Sequence, residues 1–130
     1  MSTETGRPRA LVADDNANLL EIVTSIIDRF GLDVVTASCG VRLLETLIRE
    51  GPFDVIVTDV WMPPMTGLRV LQSARAAGLW CPVIIMTALR DIDTDRQVSR
   101  LGEDVLLLRK PFSVGELHAA LNESLAIVLH

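Results

Sequence analysis

The sequence predicts a three-layer α/β domain: a doubly wound, five-stranded parallel sheet covered on both faces by five helices. Two observations carry this expectation. Short runs rich in Val, Leu and Ile alternate five times with segments of helical period, the signature of consecutive βα units. The runs are apolar almost without interruption, as strands covered on both faces are, rather than alternating like strands with one wet face. A length of 130 residues suits one core, since a chain of that size buries roughly two thirds of its unfolded surface.

The first strand is expected over 9–14 (RALVAD). Leu19, Ile22, Val23, Ile26 and Phe30 then recur at three- and four-residue steps, and Gly31 is a natural stop for the helix they define. A second strand, 33–37 (DVVTA), precedes a helix that follows Ser38, carries Leu44, Leu47 and Ile48, and closes at Gly51-Pro52. The third strand, 54–58 (DVIVT), leads to a helix after Gly67 with Leu68, Leu71 and Ala74 on its face and Gly78 as its stop. After the fourth strand, 83–86 (VIIM), the helix near 92–101 is the weakest. Only Ile92, Val98 and Leu101 are apolar there, among Asp93, Asp95, Arg96 and Arg100, so this helix is a candidate for movement. The fifth strand, 105–108 (VLLL), precedes Ser113-Val-Gly-Glu116, a capping box in which the hydroxyl and the carboxylate satisfy first-turn amides. Val114, Leu117, Leu121, Leu125 and Val128 continue that helix, and the apolar end at 126–129 either completes the core or offers a homodimer surface.

Composition excludes several classes. Hydrophobic residues make up 49% and charged residues 22%, and no apolar run approaches the roughly 18 residues that cross a bilayer. Residues 1–8 are polar, without the apolar core of a secretory signal, and are expected to be a disordered lead to a domain over 9–130 of a cytoplasmic protein. Cys39 and Cys81 form neither a CxxC pair nor a disulfide framework and are expected as small buried thiols. The net charge of −5 and pI near 4.9 argue against direct binding of nucleic acid. Arginines spread singly along the helices read as solvated faces. Neither GxxxxGK[ST] nor GxGxxG occurs, which disfavours a nucleotide-binding enzyme.

Polar residues close the strands: Asp14-Asp15 the first, Asp59 the third, Thr87 the fourth and Lys110 the fifth. Lys110 is the one lysine among twelve basic residues. Loops at the carboxyl ends of parallel strands form one surface, so these residues can converge. Three carboxylates repel one another in a partly dry cleft and call for a cation, and hard oxygen donors of this number suit Mg²⁺ with several waters. A phosphoryl group fits such a site, because the cation neutralises one side while a hydroxyl and an ammonium contact the other.

The motifs ALVADD, VIVTDVWMPPMTG, VIIMTA and RKPF, in this order from about residue 9 to residue 128, resemble the response-regulator receiver domains of two-component signalling. The resemblance implies strand order 2-1-3-4-5. It implies that Asp59 accepts a phosphoryl group from a phosphohistidine on a sensor histidine kinase or histidine phosphotransfer protein. Asp15 resembles the direct Mg²⁺ ligand, Asp14 a ligand through metal-bound water, and the backbone carbonyl of Trp61 a further ligand. Thr87 resembles the hydroxyl that moves toward the phosphoryl oxygens and Lys110 the cation that pairs with them. The Lys110-Pro111 peptide is expected cis, and Met62-Pro63-Pro64-Met65 with Gly67 matches the loop after the acceptor.

Three departures stand out. Thr66 replaces the usual Asp before Gly67, as a loop cap of little chemical consequence. Trp61 is large enough to overhang the phosphoryl group and slow its hydrolysis, or to dock a partner. Leu107 stands where many members carry a Tyr or Phe that swings inward on phosphorylation, and the segment from Gly102 to Lys110 is about one residue longer than is common. The altered switch leaves an alternative, a receiver-like interaction module that works without phosphorylation. An aspartate-dependent phosphatase would need a second Asp at position 61 as general acid; Trp61 excludes it, and the chain is expected to be no enzyme beyond assisting its own phosphorylation and dephosphorylation. Arg109, opposite in alternation to Lys110, is expected as surface charge.

Overall fold

The computed structural model describes residues 6–60, 62, 66–78, 80–88, 92–102 and 104–129, with backbone only for 92, 94 and 127–129. Ten elements alternate strictly: β1 (Arg9–Ala13), α1 (Ala17–Phe30), β2 (Asp33–Ala37), α2 (Gly40–Glu50), β3 (Val55–Asp59), α3 (Gly67–Ala76), β4 (Val83–Thr87), α4 (Ile92–Ser99), β5 (Val105–Arg109) and α5 (Val114–Leu129). The strands form one sheet in the order β2-β1-β3-β4-β5, and every pair is parallel. The expected fold class is therefore the observed one.

Strand alternation divides the core in two. Val12, Val57, Ile84 and Met86 pack with Leu117 and Leu121 of α5 and Val23 and Ile27 of α1. Leu11, Ile56 and Ile85 pack with Leu43 of α2, Leu71 of α3 and Val98 of α4. β3 and β4 are buried at every position, which explains their unbroken apolar sequence. Each fully buried Leu in these layers contributes about 2 kcal/mol.

The helix ends follow their caps. Asn16 Oδ1 accepts from Leu19 N at 3.1 Å at the start of α1, and Gly31 ends it at φ 120°, a conformation that favours glycine. The capping box of α5 forms as expected: Glu116 N donates to Ser113 Oγ at 3.0 Å and Ser113 N to Glu116 Oε1 at 3.1 Å. α2 follows Ser38 and closes at Gly51 as expected, with Cys39 as an N-cap that makes no side-chain cap bond.

Of the expected lead over 1–8, residues 1–5 lie outside the described residues. Arg7 donates from its guanidinium to the carbonyls of Asp28, Gly31 and Leu32 at 2.7–3.0 Å, a cationic cap on the carboxyl end of α1, and the Pro8 carbonyl accepts from Asp33 N at 2.9 Å. Three expectations are corrected. Ile22, Ile48 and Val114, expected on core faces, are more than half exposed, because they lie on the flanks of their apolar stripes, while Leu43 and Leu47 fill the centre for α2. Both cysteines are only half-buried. Arg109 is not surface charge: its side chain forms an ion pair with Asp95 of α4. No helix among the described residues is long and apolar enough to cross a membrane.

The opposite edge of the sheet from the strand-end acids holds a second charged cluster. Arg75 of α3 pairs with Asp104 at 3.0 Å and stacks over the ring of Trp80 at 4.1 Å. Burial pushes the neighbouring Cys81 thiol up to about 11; Arg75 opposes that shift, while Asp104 and Asp54 add to it.

Candidate functional site

β1 and β3 are neighbours at the point where the strand order reverses, and Ala13 is in register with Thr58. The next residues, Asp14 and Asp59, therefore emerge side by side at the carboxyl edge. Asp14 is 1% and Asp59 9% exposed; Asp15 is exposed. One carboxylate oxygen from each of Asp14, Asp15 and Asp59 lies within 4.8 Å of the others. Asp14 is fixed from two sides, with Oδ1 accepting from Asn16 N at 2.9 Å and Oδ2 from Lys110 Nζ at 3.0 Å.

Lys110 spans the pocket. Its Nζ lies 3.0 Å from Asp14 and 3.4 Å from Asp59 Oδ1, so the ammonium expected to reach Asp59 sits nearer Asp14. A compact point charge on a flexible stem can serve both carboxylates, whereas a planar guanidinium pairs in a fixed fork. Its backbone N–H donates to the Thr87 carbonyl at 2.8 Å, which places the last residue of β4, itself 1% exposed, at the same edge. The Lys110-Pro111 peptide is cis, as is Gly51-Pro52.

Three carboxylates against one ammonium leave the pocket negative, and repulsion between acids this close favours a further cation. An all-oxygen set with Asp15 exposed, open to water, suits a small hard cation such as Mg²⁺. The residues present fit that ion. Trp61, whose carbonyl is an expected ligand, lies outside the described residues, as do Pro63, Pro64 and Met65.

The backbone behind Asp59 is held by residues whose part was not legible beforehand. Thr58 Oγ1 donates to the Asp59 carbonyl at 3.0 Å, and Val60 N donates to the Met86 carbonyl at 3.2 Å. Gly67 N donates to the Val60 carbonyl at 2.9 Å. A Cβ on Gly67 would collide with the Asp59 carbonyl oxygen, so glycine is required for this close approach. The available sequence signal was Gly67 itself, within the motif that follows the acceptor. Thr66 is the N-cap of α3, its Oγ1 accepting from Arg69 N at 3.2 Å.

A doubly wound sheet with an acidic triad at its switch point, and a Thr and a Lys on the adjoining strand ends, is the architecture of a signalling receiver. Residues 10–122 match the family model of the response regulator receiver domain, and the chain belongs to that family. It is 35% identical over 112 residues to the alkaline phosphatase synthesis transcriptional regulatory protein PhoP of Bacillus subtilis, covering 85% of this chain and 45% of that protein. It is 33% identical over 116 residues to the transcriptional regulatory protein ZraR of Escherichia coli, covering 89% and 26%. The chain thus spans less than half the length of these relatives. A response regulator receiver domain of Clostridium thermocellum superposes with TM-score 0.84 at 27% identity, covering 94% of this chain and 97% of that one. The chemotaxis response regulator CheY4 of Vibrio cholerae gives 0.81 at 26% identity, covering 90% and 98%.

Proposed function

We propose that this chain takes a phosphoryl group onto Asp59 from the phosphohistidine of a partner histidine kinase or histidine phosphotransfer protein, with Mg²⁺, and changes its interaction surface in response. The observation that carries this reading is the bridging of two nearly buried carboxylates, Asp14 and Asp59, by the Lys110 ammonium at the edge of the acidic cluster.

A carboxylate oxygen of Asp59 attacks phosphorus as the bond from phosphorus to the donor imidazole nitrogen breaks. The electron pair leaves with the imidazole, and an acyl phosphate forms. Asp14, Asp15 and Asp59 would hold Mg²⁺, with the Trp61 carbonyl as a proposed further ligand; when bound, the ion neutralises phosphoryl oxygens on one side. Lys110 exchanges its contact with Asp59 for one with a phosphoryl oxygen. The Thr87 hydroxyl donates to another, and its motion starts the conformational response. The chain acts on its own side chain and turns over no separate substrate. Asp59 stays oriented during attack because Thr58, Val60 and Gly67 fix its peptide.

A groove of about 460 Å³ beside Lys110 and Pro111 is lined by Leu19, Ile22, Ile26, Phe112 and Val114, and Ile22 and Val114 are 56% and 51% exposed, so apolar surface lies next to the acceptor where a protein donor would dock. The reading places the protein in the cytoplasm and gives this domain no contact with nucleic acid.

Labelling by acetyl phosphate tests the proposal. The protein is expected to gain one phosphoryl group by intact mass in the presence of Mg²⁺, and to gain none with EDTA or when Asp15 is replaced by Asn. Equal labelling with and without divalent cation would overturn the metal's part.

A further inference from the structure

Arg109 ends β5 in register with Thr87 of β4 and immediately precedes Lys110. Its guanidinium crosses to α4, where Nη2 alone donates to both carboxylate oxygens of Asp95, at 2.9 and 3.0 Å. The contact is charge-assisted, with one nitrogen shared between two oxygens. It bridges the rim of a cleft of about 440 Å³ between α4 and β5, whose walls include Val98, Leu107 and Arg109.

α4 is otherwise lightly held. It has eight residues, and among its described side chains only Val98 is buried, followed by Leu101 just beyond the helix. Open space beneath a short helix with few buried apolar groups is the setting in which local release costs least. Leu107 is half-buried against the core and has neither a ring nor a hydroxyl with which to follow Thr87. Thr87 leads through residues 88–91 into α4, and Lys110 is joined to Arg109. Motions of Thr87 and Lys110 toward one phosphoryl group therefore act on the two ends of the same ion pair.

We propose that the Asp95–Arg109 pair is the latch through which phosphorylation of Asp59 controls α4, the part that an aromatic side chain at position 107 would otherwise take. This inference rests on the phosphoacceptor reading. In the unmodified protein the latch holds α4 over the cleft; on phosphorylation it opens and α4 is released. Coupling between two sites is reciprocal, so a latch that phosphorylation opens must also oppose it.

Beryllofluoride with Mg²⁺, a non-covalent phosphoryl mimic, gives the test as a binding equilibrium, followed by amide exchange of the α4 peptide. Asp95→Ala is expected to bind beryllofluoride roughly two- to fivefold more tightly than the wild type, the range that a half-exposed pair supports. Its α4 amides are expected to exchange faster even without the mimic. Asp95→Glu, which keeps the charge, is expected to restore wild-type affinity. The difference between wild type and Asp95→Ala is expected to vanish in about 1 M salt, where screening acts within ~3 Å. Asp95→Asn, which keeps the volume and loses the charge, carries the test if the Ala variant does not fold. Equal affinity of the wild type and both neutral variants at low salt would overturn the latch while leaving the phosphoacceptor reading intact. Failure of every variant and the wild type to bind the mimic would overturn both.

Discussion

Gly67→Ala places one methyl group against the backbone of the proposed nucleophile. The Asp59 carbonyl that the new Cβ would meet is tied by Thr58 Oγ1 at 3.0 Å, and the next peptide is tied by Met86 and Gly67 at 3.2 and 2.9 Å. An ordinary carbon-to-oxygen contact is about 3.3 Å, so the carbonyl or the start of α3 must move by on the order of 1 Å. Crowding of this kind costs about 1–3 kcal/mol, and the better helix propensity of Ala returns at most ~1 kcal/mol. The net loss is then about 1–2 kcal/mol, a fall in Tm of roughly 4–8 °C for a domain of this size. The larger effect is on chemistry, since a nucleophile misplaced by about 1 Å reacts on the order of a hundredfold more slowly. Thermal melts and initial rates of labelling by acetyl phosphate measure the two quantities separately. A Gly67→Ala protein with unchanged Tm and full labelling rate would refute the claim that this contact positions Asp59.

Three further outcomes are expected. Arg75→Ala removes a pair with Asp104 whose side chains are 10% and 22% exposed, together with the stack on Trp80, and should cost about 2–3 kcal/mol in urea unfolding; a loss under ~0.5 kcal/mol would contradict it. Cys81, pushed up to about 11 from an ordinary 9.0, keeps its proton in the fold where the unfolded chain has lost it. Stability should therefore fall as pH rises from 9 toward 11, and at pH 8 iodoacetamide should modify Cys81 more slowly than in the urea-unfolded chain; equal rates would refute the shift. Lys110→Arg should keep Tm within a few degrees but weaken the response of α4 to beryllofluoride, because a planar fork satisfying Asp14 and Asp59 is harder to redirect than an ammonium. A full amide-exchange response would speak against this.

The fold was legible because period and burial coincide: strands covered on both faces must be apolar throughout, and the helices between them must carry a stripe. The site was legible because Asp14, Asp59, Thr87 and Lys110 are polar residues interrupting that apolar pattern at strand ends, where topology gathers them. Partners were not legible. Strand alternation correctly sent Arg109 away from Lys110, but in a doubly wound sheet the other face is covered too, and there it meets Asp95. Arg75, on a helix, likewise read as solvated charge although it is nearly buried, and nothing in the sequence pointed to Arg7 capping α1 or to Arg9 donating to the Glu50 carbonyl at 2.7 Å. A long side chain finds its partner through the tertiary arrangement, which charge and spacing along one segment do not encode. Ile22 and Val114 were misjudged for the opposite reason, since helical period marks a stripe but not how much of its width the sheet covers.

The most direct test of the account is the position of the phosphoryl group after reaction with acetyl phosphate and Mg²⁺. Reduction of the acyl phosphate followed by peptide mapping should find modification at Asp59 and no label in Asp59→Asn. Full labelling of Asp59→Asn, or a wild-type protein that stays unmodified, would contradict it.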